Sequence, residues 1–300
     1  PCMYNTNFLA QHLRAASLGR ENSTFIRLHE TDNTISFQDF FQNAERIASV
    51  LINSGIQPGD RVAVQVEKSV SALEIYMGTV LAGSIFLPLN PAYTPAEIEY
   101  FLCDARPAHF VCDPLKIEML TTVAETCGVT QVWTLTDENT GSLVEARNSE
   151  SPGFRGIERG PDDLAAILYT SGTTGRSKGA MLTQANLSAN ISQMLSWFPG
   201  LRPGEEKIVG VLPLFHVFAM TAVMNFAVAS GTEIILLPRF ELEQTLKTLS
   251  AKKATLFPAV PTIYTAINQA PDLAKYDLSS IRYCMSGGAP LPLEVKRQFE

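Results

Sequence analysis

At 300 residues, 46% of them hydrophobic, the chain is long enough for one large or two ordinary domains with a real core. A net charge of −7 and an isoelectric point near 5.2 argue against the basic face of a nucleic-acid binder. The cysteines, Cys2, Cys103, Cys112, Cys127 and Cys284, are odd in number and scattered, with no Cys-x-x-Cys pair and no Cys/His cluster at metal-ligand spacing. That usage predicts a reducing cytoplasm and no metal site. Residues 1–19 lack the basic start and apolar core of a secretory signal.

Ser36, with Asp39 three residues on, reads as a helix start; Phe40, Ala44, Ile47 and Leu51 follow at helical spacing and Gly55 as a stop. A Pro58-Gly59-Asp60 turn leads into an alternating strand over 61–66, then a helix over 70–82 ended by Gly83, then a short buried strand over 85–89. Thr94, Pro95 and Glu97 form a helix start with Thr as N-cap, and Ile98, Phe101 and Leu102 supply its apolar face. Strands are predicted at 109–112 and 129–135, with a helix between them. The polar, glycine-rich stretch 137–163 reads as a connection between subdomains. Beyond it, helices are predicted at 184–198, 220–229 and 241–252, the last with Leu242, Leu246 and Leu249 inward, and strands at 208–212, 233–237, 255–257 and 282–285. A helix beginning near Pro290 runs to Glu300 without a stop signal, so the sequence is expected to be part of a longer protein. Residues 208–232 carry no formal charge, yet Gly210, Pro213, His216, Asn225 and Gly231 interrupt them; strand, loop and buried helix is the reading, not a membrane span. The alternation of helix and strand predicts an α/β fold.

Tyr169-Thr170-Ser171-Gly172-Thr173-Thr174-Gly175-Arg176-Ser177-Lys178-Gly179 stands between two apolar runs and reads as strand, loop, strand. Its glycines permit a tight turn and close approach to a ligand. Hydroxyls and backbone N–H groups can donate to phosphate oxygens, and Lys178 adds a point charge. The spacing is not that of a Walker A loop, since Arg176 follows Gly175 and Gly179 follows Lys178. The string resembles the phosphate-binding loop of the adenylate-forming superfamily, the acyl-CoA synthetases, adenylation domains and luciferases. That resemblance implies that Thr170, Ser171, Gly172, Thr173, Thr174, Gly175 and Lys178 hold the β- and γ-phosphates of ATP.

Three further segments extend it. His216, in Pro213-Leu214-Phe215-His216-Val217-Phe218, is by its surroundings either a satisfied core histidine or an imidazole at the mouth of an apolar pocket. The matching segment of fatty-acid–CoA ligases implies the catalytic role of orienting the carboxylate. Ser286-Gly287-Gly288-Ala289-Pro290 is either a turn into a helix or a close approach to a flat ligand; the resemblance places Gly287, Gly288 and Ala289 against the adenine and acyl groups. Val260-Pro261-Thr262-Ile263-Tyr264 is read equally as a core junction or a pocket contact.

The resemblance covers roughly residues 25–300 and implies the large N-terminal adenylation domain, two β-sheets flanked by helices, without the C-terminal domain. The Tyr-Gly-x-Thr-Glu segment, the ribose aspartate and the C-terminal lysine of the family have no counterpart, so the chain alone is expected to be inactive. The implied reaction activates a carboxylic acid with ATP and Mg²⁺ and passes the acyl group to coenzyme A. The implied partners are small molecules, with no nucleic acid and no transmembrane segment; peripheral membrane contact and a homodimer are compatible with the family. Residues 59–70 and 162–182 resemble malonate–CoA ligases, and 212–220 and 256–300 resemble bacterial fatty-acid–CoA ligases. No arginine follows Tyr264 to pair a second carboxylate, and Phe215, Val217, Phe218, Met220 and Val223 suit an alkyl chain lying in a tunnel, so a fatty acid is favoured.

Overall fold

The computed structural model describes residues 4–170 and 175–300. Its strands are β1 Thr24–Leu28, β2 Thr34–Ser36, β3 Arg61–Gln65, β4 Ile85–Pro88, β5 His109–Cys112, β6 Gln131–Thr134, β7 Leu164–Thr170, β8 Lys178–Thr183, β9 Lys207–Gly210, β10 Glu233–Leu236, β11 Leu256–Ala259 and β12 Tyr283–Ser286. Its α-helices are α1 Phe8–Ala15, α2 Phe37–Asn53, α3 Val70–Leu81, α4 Pro95–Ala105, α5 Ile117–Thr126, α6 Ser142–Asn148, α7 Gln184–Trp197, α8 Val217–Ala219, α9 Phe226–Ser230, α10 Leu242–Ala251, α11 Pro261–Asn268 and α12 Leu293–Phe299. Among the described residues these strands form two six-stranded sheets, as the two-sheet expectation requires. The chain divides into two units, one of residues 1–15 and 38–190, the other of residues 16–37 and 191–300.

In the first unit the sheet order is β6-β5-β3-β4-β7-β8, parallel except for the antiparallel edge pair β7–β8. Parallel strands are covered on both faces, which explains why β4 and β5 are buried at every position, His109 included. Helix α3 is buried along its whole length. Gly78 allows this, because a Cβ there would lie 2.7 Å from the Ile47 side chain of α2. The start of α4 is the capping box predicted from Thr94 and Glu97, with both reciprocal bonds present.

The polar stretch 137–163 lies inside this unit, while the divisions fall after Ala15, Phe37 and Asn190. It is not featureless. It contains α6, whose Leu143 and Val144 are buried and whose Arg147 donates to buried Glu74 of α3 at 2.9 Å. Farther along, the Gly153 N–H donates to Glu45. The cysteine reading changes as well. Cys103 of α4 and Cys127 at the end of α5 form a disulfide with Cα atoms 4.5 Å apart, so the argument for a reducing compartment loses part of its basis.

In the second unit the order is β12-β11-β9-β10-β1-β2, again parallel with one antiparallel edge pair, β1–β2. Its core joins Val209, Ile235, Phe257 and Ala259 of the sheet to Leu246 and Leu249 of α10 and Ile263, Tyr264 and Ile267 of α11. The uncharged span 208–232 is β9, a loop, and a helix that runs through α8, a π-helical segment Met220–Asn225, and α9. Among the described residues no helix is long and apolar enough to cross a membrane.

Candidate functional site

In a parallel sheet, ligands gather beyond the carboxyl ends of the strands. The residues singled out in the sequence stand at such ends: Thr170 ends β7 and Lys178 opens β8, 213–216 follow β9, Val260 follows β11, and Gly287 to Ala289 follow β12. The 169–179 loop belongs to the first unit; His216 and the glycines belong to the second.

The loop joins the antiparallel pair β7–β8, with Tyr169 opposite Gly179 and Thr170 opposite Lys178. That pairing puts Thr170 and Lys178 directly across from each other at its mouth. Thr170, Gly175, Arg176 and Lys178 are exposed. Gly175 has φ +130°, a conformation that disfavours any side chain, and no described residue lies within 4 Å of where a Cβ would be. Ser171, Gly172, Thr173 and Thr174 lie outside the described residues. At position 179 only glycine fits, because a Cβ would lie 2.8 Å from Ile167 and 3.3 Å from the Tyr169 ring. Tyr169 donates from its hydroxyl to Asp104 Oδ2 at 2.6 Å. Burial, and then the hydrogen bond and negative charge of Asp104, push the Tyr169 pKa well up, so it stays a neutral phenol.

His216 is exposed and caps α8: its Nδ1 accepts from the Phe218 N–H at 3.2 Å. An accepting Nδ1 places the proton of neutral imidazole on Nε2, the nitrogen left for a ligand. This answers the core-histidine alternative, since the ring is at the surface. The half-buried Phe218 ring lies over Gly287, where a Cβ would be 2.8 Å from ring atoms. Gly288 has φ +81°, and a Cβ there would be 3.3 Å from Val260. The structure therefore brings the His216–Phe218 turn to the Gly287–Gly288 turn, and Ala289 follows, exposed. Met220 is fully buried, so it packs in the interior instead of lining an open surface with Phe215 and Phe218. Tyr264 is also structural: its buried hydroxyl lies 2.6 Å from the Phe257 carbonyl and 2.9 Å from that of Met285, tying β11 to β12. Among the described residues no group of three His, Cys, Asp or Glu side chains could hold a metal ion.

Sequence reading passed over Tyr100 and Asp104 of α4. Their four-residue spacing puts them on one helix face, but nothing local says that the face meets the loop.

The AMP-binding enzyme family model matches residues 13–300. The long-chain-fatty-acid–CoA ligase of Bacillus subtilis is 37% identical, over 89% of this chain and 53% of its own. A 4-coumarate–CoA ligase of Pinus taeda is 30% identical, over 89% of this chain and 50% of its own. The solved structure of ATP-bound MatB from Rhodopseudomonas palustris superimposes with a TM-score of 0.91 at 39% identity, covering 98% of this chain and 57% of that one. The chain thus spans about half the length of the curated relatives it matches.

Proposed function

Because the chain belongs to the AMP-binding enzyme family, we propose that the intact protein uses ATP to join a fatty acid to coenzyme A through an acyl-adenylate, with residues 1–300 as its N-terminal adenylation domain. The observation that carries this reading is the 169–179 loop on the β7–β8 hairpin, with Thr170 and Lys178 opposed at its exposed mouth. A carboxylate oxygen attacks the α-phosphorus, the bond from that phosphorus to the bridging oxygen breaks, and pyrophosphate leaves. Negative charge builds on the departing phosphates, where Lys178 and the loop N–H groups can stabilise it. The sulfur of coenzyme A then attacks the acyl carbon, loses its proton, and AMP leaves.

The residues present suit these ligands. An exposed lysine three residues after a glycine at positive φ suits a polyanion. Gly287 lets the Phe218 ring lie against its backbone, and exposed Gly288 beside it leaves backbone that a flat ring could approach. The Nε2–H of His216 would donate to the acid carboxylate. Mg²⁺ would arrive with the nucleotide and offset phosphate charge. The apolar side chains Phe215, Val217 and Phe218 beside His216 support an alkyl substrate, as does the name of the Bacillus relative. A malonate reading lacks a cation after Tyr264, where Thr265 and Ala266 stand.

The test is acid-dependent exchange of pyrophosphate into ATP by the intact protein with decanoate. Lys178→Ala is expected to lower it on the order of 10²-fold. No exchange with any acid, or an unimpaired Lys178→Ala, overturns the proposal.

A further inference from the structure

Lys178 is exposed at the end of the β7–β8 hairpin, so contacts made by its described neighbours must fix where it stands. Among the described residues, α4 contacts both ends of this hairpin. Tyr100 donates from its hydroxyl to the Ser177 carbonyl at 2.8 Å, at the loop's exit. Asp104, one turn on, accepts from Tyr169 at the loop's entrance. Between them the Arg176 guanidinium lies over the Tyr100 ring, 5.3 Å from its centroid.

The helix behind these contacts is itself held at several points. Its first turn carries the capping box, and its end is tied by Arg61 donating to the Ala105 carbonyl at 2.8 Å. The disulfide from Cys103 fastens it to α5. Phe101, buried between the Tyr93 and Tyr169 rings, does the packing. Tyr100 and Asp104 are, by contrast, half-buried and exposed, and their polar atoms go to the loop's two ends. Phe101 thus backs the Tyr169 ring from the core, while Tyr100 and Asp104 supply the polar ties to Ser177 and Tyr169.

We infer that Tyr100 and Asp104 are positioning residues that fix Ser177 and Tyr169, and with them Lys178, for the β- and γ-phosphates of ATP, an inference resting on the adenylation reading above. Neither touches the nucleotide; both act through the loop. AMP, which lacks those phosphates, does not need the brace.

The experiment is equilibrium binding of ATP and of AMP to the intact protein. Tyr100→Phe, which loses only a hydroxyl, should weaken ATP about fivefold, and Asp104→Ala about tenfold, with AMP affinity unchanged. Asp104→Asn, whose amide oxygen can still accept from Tyr169, should bind ATP nearly as wild type does. ATP affinity unchanged in Tyr100→Phe and Asp104→Ala, or ATP and AMP weakened alike, overturns the inference. Wild-type protein that binds neither nucleotide removes the adenylation reading first, and the brace's role falls with it.

Discussion

Glu74 lies on α3 with its side chain 1% exposed and is paired with Arg147 of α6 at 2.9 Å. Burial pushes its pKa up from 4.5 to about 7, even though Arg147 pulls the other way. A carboxyl group so raised keeps its proton in the folded state where the unfolded chain has released it. Its contribution to stability is therefore fully present below its unfolded pKa and is lost as pH rises through about 7. A shift of this size corresponds to about 3 kcal/mol. Glu74→Gln keeps the shape and removes the titration. The fall in unfolding free energy between about pH 5 and about pH 8 should shrink by that amount. Lys68, whose pKa burial lowers to about 7, titrates with the opposite sign, adding stability as pH rises, so the readout is wild type minus variant at each pH. Buried Trp133 reports on the first unit in urea titrations, once exposed Trp197 is replaced by phenylalanine in both proteins. Arg147→Met should destabilise by about 3–5 kcal/mol at high pH, where the carboxylate is charged and unpaired, and much less at low pH. Adding Glu74→Gln should restore most of that loss. A Glu74→Gln protein with the wild-type pH slope, or an Arg147→Met loss equal at both pH values, refutes the reasoning.

Other perturbations probe the site and its support. Gly287→Val puts a side chain where the Phe218 ring lies 2.8 Å from a Cβ; kcat/KM for the acid should fall on the order of tenfold to a hundredfold with unchanged circular dichroism, and unchanged kinetics would clear that contact of any role. Lengthening the acid should improve binding by about 0.8 kcal/mol per CH₂ until the space is full, and malonate outperforming octanoate would overturn the fatty-acid reading. Reducing Cys103–Cys127, which closes a loop of sequence separation 24, should lower stability by about 3 kcal/mol; an unmoved urea midpoint in Cys103→Ser would contradict this.

What could be read from the sequence was whatever is fixed locally. The Thr94–Glu97 box lies within one helical turn, and the hairpin around 169–179 within one strand pair. What escaped depends on distant partners. Strand β1 pairs with β10 some two hundred residues on, so the short 24–28 segment gave no sign of its place. Helix α6 is seven residues long and held by Glu74, 73 residues away, which is why a polar stretch looked like a connection. The disulfide joins two cysteines with no motif between them. The candidate site residues could be named because glycine patterns and one histidine mark them; the contacts of α4 could not, because Tyr100 and Asp104 look like any exposed helix face.

The π-helical segment Met220–Asn225 holds more residues per turn than the helix on either side. Insertions and deletions therefore act here unlike substitutions. Removing one residue, Ala222 for instance, would let an ordinary α register close. Everything before it would swing by about 100° around the helix axis. The buried half, Phe226–Ser230, could stay in place while Phe218 is carried off Gly287 and His216 is re-aimed. A one-residue length change inside this helix is thus a rotary adjustment of the imidazole, available to evolution or to an engineer without touching a single site residue.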